Sequence, residues 1–108
     1  SQVASVPTLI FDEVDSGIGG RVAEIVGHLL KKLGQSYQVL CVTHLPQVAA
    51  TADQQWQVSK AVENGVTLSH ITALNGEQRV EEIARMLGGV QITETTRKHA
   101  AEMLATAA

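Results

Sequence analysis

The stretch that most constrains this chain is Thr8-Leu9-Ile10-Phe11-Asp12-Glu13-Val14-Asp15-Ser16-Gly17-Ile18-Gly19-Gly20. Three apolar residues run into two consecutive carboxylates, a third carboxylate follows after one valine, and small residues then lead into an amphipathic segment. That order reads as a buried strand, an acidic loop and a helix. A parallel strand covered on both faces is apolar throughout, and carboxylates are tolerated only where it leaves the core. Asp12 and Glu13 are therefore expected at the C-terminal edge of a strand, where open α/β sheets bind their ligands.

Two adjacent carboxylates at such an edge can divide the work of phosphoryl transfer. One holds Mg²⁺ directly or through water, and the other orients or deprotonates the attacking water. The residues alone leave open a plainer reading, in which both are loop acids or helix caps.

After the acidic loop, Val22, Ile25, Val26, Leu29, Leu30 and Leu33 recur at helical spacing, with Arg21, Glu24, Lys31 and Lys32 on the other face. Gly34 is the expected stop. Tyr37 to Val42 gives a second strand, and a strand, helix, strand order makes a crossover with parallel strands. Parallel strands bring Asp12-Glu13 and Thr43-His44 to one edge of the sheet, although about thirty residues separate them in sequence.

Leu45 to Thr51 reads as a short helical turn with Pro46 at its start. Segments 54–62 and 66–74 flank Glu63-Asn64-Gly65, a strong hairpin signal, with Trp56 and Val58 on one face and Val66, Leu68 and His70 opposite. Asn75 is expected to cap a helix with Val80, Ile83, Ala84 and Leu87 inward, ended by Gly88-Gly89. A last helix from Thr93 to Ala107 turns Ala100, Met103, Leu104 and Ala107 inward.

At 108 residues the chain has room for one core, and with aromatic residues at 3% aliphatic side chains must fill it. A net charge of −3, with few and scattered Lys and Arg, argues against a module that grips a nucleic-acid backbone unaided. The lone Cys41 excludes an internal disulfide and a Cys₄ zinc site. No run approaches the length of a membrane span and no signal-peptide pattern opens the chain, so no membrane partner is expected. The start at Ser1 rather than Met is the pattern of a fragment or a processed chain.

The segment from Leu9 to Gly20, followed by Cys41-Val42-Thr43-His44-Leu45-Pro46-Gln47-Val48-Ala49-Ala50 and later by Ala84-Arg85-Met86-Leu87-Gly88-Gly89, closely resembles the C-terminal part of bacterial DNA repair proteins of the RecN family. These form an SMC-like branch of the ABC-type ATPases, and the resemblance covers nearly the whole chain. It implies an α/β fold, the C-terminal lobe of an ABC/SMC-type P-loop ATPase head: a parallel βαβ core with a flanking antiparallel hairpin and C-terminal helices over residues 1–108.

What the resemblance implies for single residues follows from matching positions. Asp12 corresponds to the Walker B aspartate that supports Mg²⁺, and Glu13 to the catalytic residue that polarises the hydrolytic water. Asp15, Ser16 and Gly17 fall in the D-loop, the segment that crosses the interface between two heads. His44 matches the switch histidine, placed to bond the γ-phosphate or the attacking water. Gln47 is a neighbouring polar position, equally readable as a solvated helix residue, whereas His28, His70 and His99 have no special context.

No Gly-x-x-x-x-Gly-Lys-Ser/Thr loop, Leu-Ser-Gly-Gly signature or long heptad region occurs in the chain. The expected cofactors, ATP and Mg²⁺, thus need an N-terminal Walker A lobe of the same protein, and the expected partners are that lobe, a second head in a homodimer, and DNA through the full-length protein. The expected setting is cytoplasmic and nucleoid-associated, and the chain alone is expected to be inactive. Two other readings stay open. One is a free-standing metal-dependent phosphohydrolase using Asp12, Glu13, Asp15 and His44, and the other is a non-catalytic interaction domain.

Overall fold

Eight elements follow one another along the chain: β1 (Thr8–Asp12), α1 (Gly20–Leu33), β2 (Gln38–Val42), α2 (Pro46–Ala49), β3 (Trp56–Glu63), β4 (Val66–Ala73), α3 (Gly76–Gly88) and α4 (Glu94–Ala107). The computed structural model describes residues 7–12, 17, 19–88 and 91–107. Glu13, Asp15 and Ser16, three of the expected site residues, lie outside the described residues.

The two apolar runs pair as expected. β1 lies parallel to β2 with Thr8 opposite Gln38, Ile10 opposite Leu40 and Asp12 opposite Val42. At the N-terminal end of the ladder the Thr8 hydroxyl donates to Gln38 Oε1 at 2.6 Å. The expectation of a strand covered on both faces does not hold among the described residues. Leu9, Phe11, Val39 and Cys41 are half-buried, whereas Ile10 and Val42 are 69% and 57% exposed. A single crossover helix has one packing face to offer, so the described residues leave the other side of this ladder open.

The hairpin forms its own two-stranded sheet rather than joining β1 and β2. Its loop is the two-residue Asn64-Gly65 turn, with φ of 51° and 77°, the left-handed pair that matches the twist of the flanking strands. Pairing of Trp56 with Ala73 and Val58 with Ile71 puts these on one face, and Leu68 and His70 fall on the other with Ala61 and Ser59. Gln57 Nε2 donates to Glu82 Oε1 at 3.2 Å, tying the second face to α3.

The core lies among the helices, not beneath the parallel ladder. Ala49, Ala50, Ile83, Ala84 and Ala100 form its buried centre, with Val80, Leu87, Met103 and Leu104 packed around it. Asn75 caps α3 in a reciprocal box: the Gln78 N–H donates to Asn75 Oδ1 at 2.8 Å, and the Asn75 N–H donates to Gln78 Oε1 at 2.9 Å. Thr93 serves α4 in the same way, its Oγ1 accepting the Thr96 N–H at 3.1 Å. Arg97 joins the two helices through Glu81 at 3.0 Å.

Arg79 fastens three elements. Its Nη2 donates to the Ala49 carbonyl at 3.1 Å and its Nε to Gln55 Oε1 at 3.1 Å. Burial lowers the guanidinium's pKa from its ordinary value, and the nearby Asp53 carboxylate works in the opposite direction.

The buried face of α1 differs from the one its periodicity predicts. Of the six expected inward residues, Val26, Leu30 and Leu33 are half-buried while Val22, Ile25 and Leu29 are exposed, and the fully buried positions are Ala23 and Gly27. The described part of the chain packs α2 and Thr51 against the small residues of α1, where two backbones can approach closely. Hydropathy periodicity ranks Val and Leu above Gly, so it could not point to that face.

Candidate functional site

The site is built from two strand ends. β1 ends at Asp12, whose side is shared with Ile10 and exposed, and the parallel register sets Asp12 opposite Val42. Thr43 and His44 follow Val42 directly. The described aspartate and the histidine therefore leave the sheet at the same edge, the arrangement expected from two apolar runs joined by a crossover helix.

The turn after β2 has a local cause. Thr43 Oγ1 accepts the Leu45 N–H at 3.0 Å, a side-chain turn that redirects the backbone through His44. Leu45 is extended at φ −97° and ψ 122°, the conformation favoured before proline, and Pro46 then opens α2. His44 is exposed on this bend.

The N-terminal end of α1 lies beside the Gln47 side chain of α2. Gly17 has a φ of +80°, which a residue with a side chain rarely adopts. Gly19 at the N-cap of α1 is extended and offers no side chain, and the helix has no acidic residue in its first turn. A Cβ placed on Gly20 would lie 3.1 Å from Gln47 Nε2, so the start of α1 rests against the Gln47 side chain. The structure thus gathers Asp12 and His44 at one sheet edge, and Gln47 with the Gly20 end of the loop.

Gln47 also borders a cleft of about 260 Å³ between α1, α2 and α4, with His28 and His99 in its walls. Both histidines are exposed, in keeping with their reading as ordinary residues. Among the described residues no three of His, Cys, Asp and Glu approach closely enough to hold a metal ion. The four-residue set of the free-standing hydrolase reading includes Glu13 and Asp15, which lie outside the described residues.

Four residues to which the sequence assigned no site role, Gly27, Lys31, Thr51 and Asp53, are joined next to α2. Thr51 is 3% exposed and sits against Gly27, and Lys31 Nζ donates to the Thr51 carbonyl at 3.1 Å and to Asp53 Oδ1 at 2.8 Å. A threonine three residues after a helical carbonyl that its hydroxyl can reach is the one available signal.

Comparison with known proteins places this geometry. No protein-family model matches the chain. It is 54% identical over 100 residues to the DNA repair protein RecN of Xylella fastidiosa (strain 9a5c), a match covering 93% of this chain and 18% of that protein. The RecN of Vibrio cholerae is 54% identical over 104 residues, covering 96% of this chain and 19% of the relative. The RecN of Bacillus subtilis (strain 168) is 43% identical over 104 residues, covering 96% and 18%. In fold the chain is similar to one solved in work on the structural biochemistry of ATP-driven dimerization and DNA-stimulated activation of SMC ATPases. That likeness has a TM-score of 0.64 at 22% identity and covers 80% of this chain and 51% of the other. By sequence, then, this chain is similar to a segment of the RecN DNA repair proteins, one spanning 18% of the length of the first of these relatives.

Proposed function

We propose that this segment is the C-terminal lobe of an ATP-hydrolysing, SMC-like head of RecN type that acts in DNA double-strand break repair and recombination. The observation that carries this reading is the parallel register of β1 and β2, which sets Asp12 beside Val42 and so on the edge where His44 follows. Homology to RecN proteins at about half of all aligned positions supports the biological setting.

In this reading Asp12 supports Mg²⁺ and Glu13 orients and deprotonates the attacking water. His44 would hydrogen-bond the γ-phosphate or the attacking water, and Asp15, Ser16 and Gly17 would contribute to nucleotide binding as the loop that crosses the interface with a second head. Gln47 adds a polar contact beside the loop. The donor chemistry at the rim fits the ion, since Mg²⁺ takes hard oxygen ligands and is commonly held by one or two carboxylates with phosphate and water. When bound, Mg²⁺ neutralises charge on the phosphates. The chain's own task is to hold the carboxylates and the imidazole in fixed relation to the reacting group.

The match to 18% of the relatives' length supports a head completed by other parts of the protein: a Walker A lobe, a coiled coil and, by dimerisation, a second head. DNA engagement belongs to that assembly, placed in the cytoplasm at the nucleoid; no helix among the described residues is long and apolar enough to cross a membrane. The segment alone is inactive in this reading.

The test is ATP turnover by the full-length protein. Glu13→Gln should abolish hydrolysis while nucleotide binding persists. Turnover by the isolated segment with Mg²⁺ would favour a free-standing phosphohydrolase, and a fully active Glu13→Gln protein would favour a non-catalytic interaction domain.

A further inference from the structure

We infer that Thr51 is a positioning residue of the proposed site: seated against Gly27 and held by Lys31, it sets the spacing between the helix that follows the acidic loop and the segment that follows His44. The inference rests on the hydrolytic reading of that site and adds a part to it.

Thr51 is buried and internally satisfied. Its hydroxyl donates to the Val48 carbonyl at 2.7 Å, and its own carbonyl accepts from Lys31 Nζ. A β-branched side chain has few χ1 wells, and this hydrogen bond selects one, so Thr51 presents a rigid surface. Against that surface lies Gly27. A Cβ there would stand 2.8 Å from both Thr51 Cγ2 and Oγ1 and 3.2 Å from the Gln47 carbonyl oxygen. No ordinary contact is so short, and neither the anchored threonine nor the backbone carbonyl can yield cheaply. The approach of α1 to residues 47–51 is therefore set by the threonine's own volume.

Both partners lie a short, stiff distance from the chemistry. From Gly27 back to Gly20, about 10 Å of continuous helix leads to the end of the acidic loop. On the other side, α2 begins at Pro46, immediately after Leu45 and His44. Gly20 touches Gln47 at one end of this contact, and Lys31 holds Thr51 and Asp53 at the other. A wedge at Gly27 shifts the Gly20 end of α1 relative to Leu45 and His44, and a misplacement of about an ångström near a reacting group can cost up to about 10²-fold in rate.

The experiment is steady-state ATP hydrolysis by the full-length protein carrying this segment, with folded fraction measured in parallel. Gly27→Ala should lower kcat about tenfold with KM for ATP nearly unchanged. The double variant Gly27→Ala/Thr51→Ala, which removes the two closest atoms and leaves only the milder 3.2 Å approach to the Gln47 carbonyl oxygen, should recover most of the lost kcat. Should Gly27→Ala fail to fold, Thr51→Ala alone carries the test by opening a gap, with a fall in kcat at constant KM expected. An unchanged kcat per folded molecule, or no recovery in the double variant, overturns the inference. Glu13→Gln separates the two claims: if it blocks turnover while Gly27→Ala does not alter kcat, only the role of Thr51 falls; if it leaves turnover intact, the hydrolytic reading and this inference fall together.

Discussion

Asp12 stands directly opposite Val42 in a parallel ladder, and Val42 is two residues from His44. This pairing brings residues distant in sequence to one edge, and under the proposed function each can be tested separately. In the full-length protein, Asp12→Asn should weaken Mg²⁺ binding, visible as a higher Mg²⁺ concentration needed for half-maximal hydrolysis. His44→Ala should lower kcat by roughly 10²-fold or more, the scale of losing one preorganised hydrogen-bond donor to a developing charge. An unaltered kcat in His44→Ala would remove the histidine from the mechanism.

A second prediction concerns Arg79. Replacing it with Met keeps much of the side chain's bulk but strips the Ala49 carbonyl and Gln55 of their partner. Because the guanidinium is only partly buried, water can replace some of what is lost, and a cost of about 1–2 kcal/mol is expected. Urea denaturation should show a lower midpoint with an unchanged slope.

The architecture was legible wherever local chemistry dictated it. Leu9-Ile10-Phe11 and Val39-Leu40-Cys41-Val42 marked the parallel pair, Asn64-Gly65 the hairpin, Asn75 the start of α3, and Ala100, Met103 and Leu104 the inner side of α4. The shared edge of Asp12 and His44 was legible for the same reason, since strand direction follows from the crossover. Two things were not. Hydropathy pointed to Val22, Ile25, Val26, Leu29, Leu30 and Leu33 as the packed side of α1, of which Val26, Leu30 and Leu33 are half-buried; close approach of two backbones selects for absent volume, and the fully buried positions are Ala23 and Gly27. The burial of Thr51 was equally hidden, because a hydroxyl that bonds its own helix's carbonyl looks in sequence like any exposed threonine.

Ile83 provides the third prediction. It is the largest fully buried side chain among the described residues and joins α3 to the Ala49, Ala50 and Ala100 centre. The other members of the buried centre, Ala49, Ala50, Ala84 and Ala100, are too short to extend and refill a hole. Ile83→Ala should therefore cost about 2–5 kcal/mol, whereas Ile83→Val should cost about 1 kcal/mol. Equal losses in the two variants, measured by chemical denaturation, would show that the site relaxes more freely than its alanine lining allows.

The last prediction follows from surfaces the chain leaves open. Ile10 and Val42 line one side of the parallel ladder, and Trp56, Val58 and Ile71 line one side of the hairpin, all more than half exposed. Contiguous apolar faces of this kind are unusual on a monomer and mark places that another surface covers. If other parts of the protein cover them, the isolated segment should bind a hydrophobic dye and self-associate, and Val58→Thr with Ile71→Thr should reduce both. In the full-length protein the same pair should have the opposite consequence, lowering the thermal midpoint because buried apolar area is lost. A stable, dye-silent monomer of the segment would mean that these faces are tolerated in water as they stand, and the case for a covering lobe would lose its structural support.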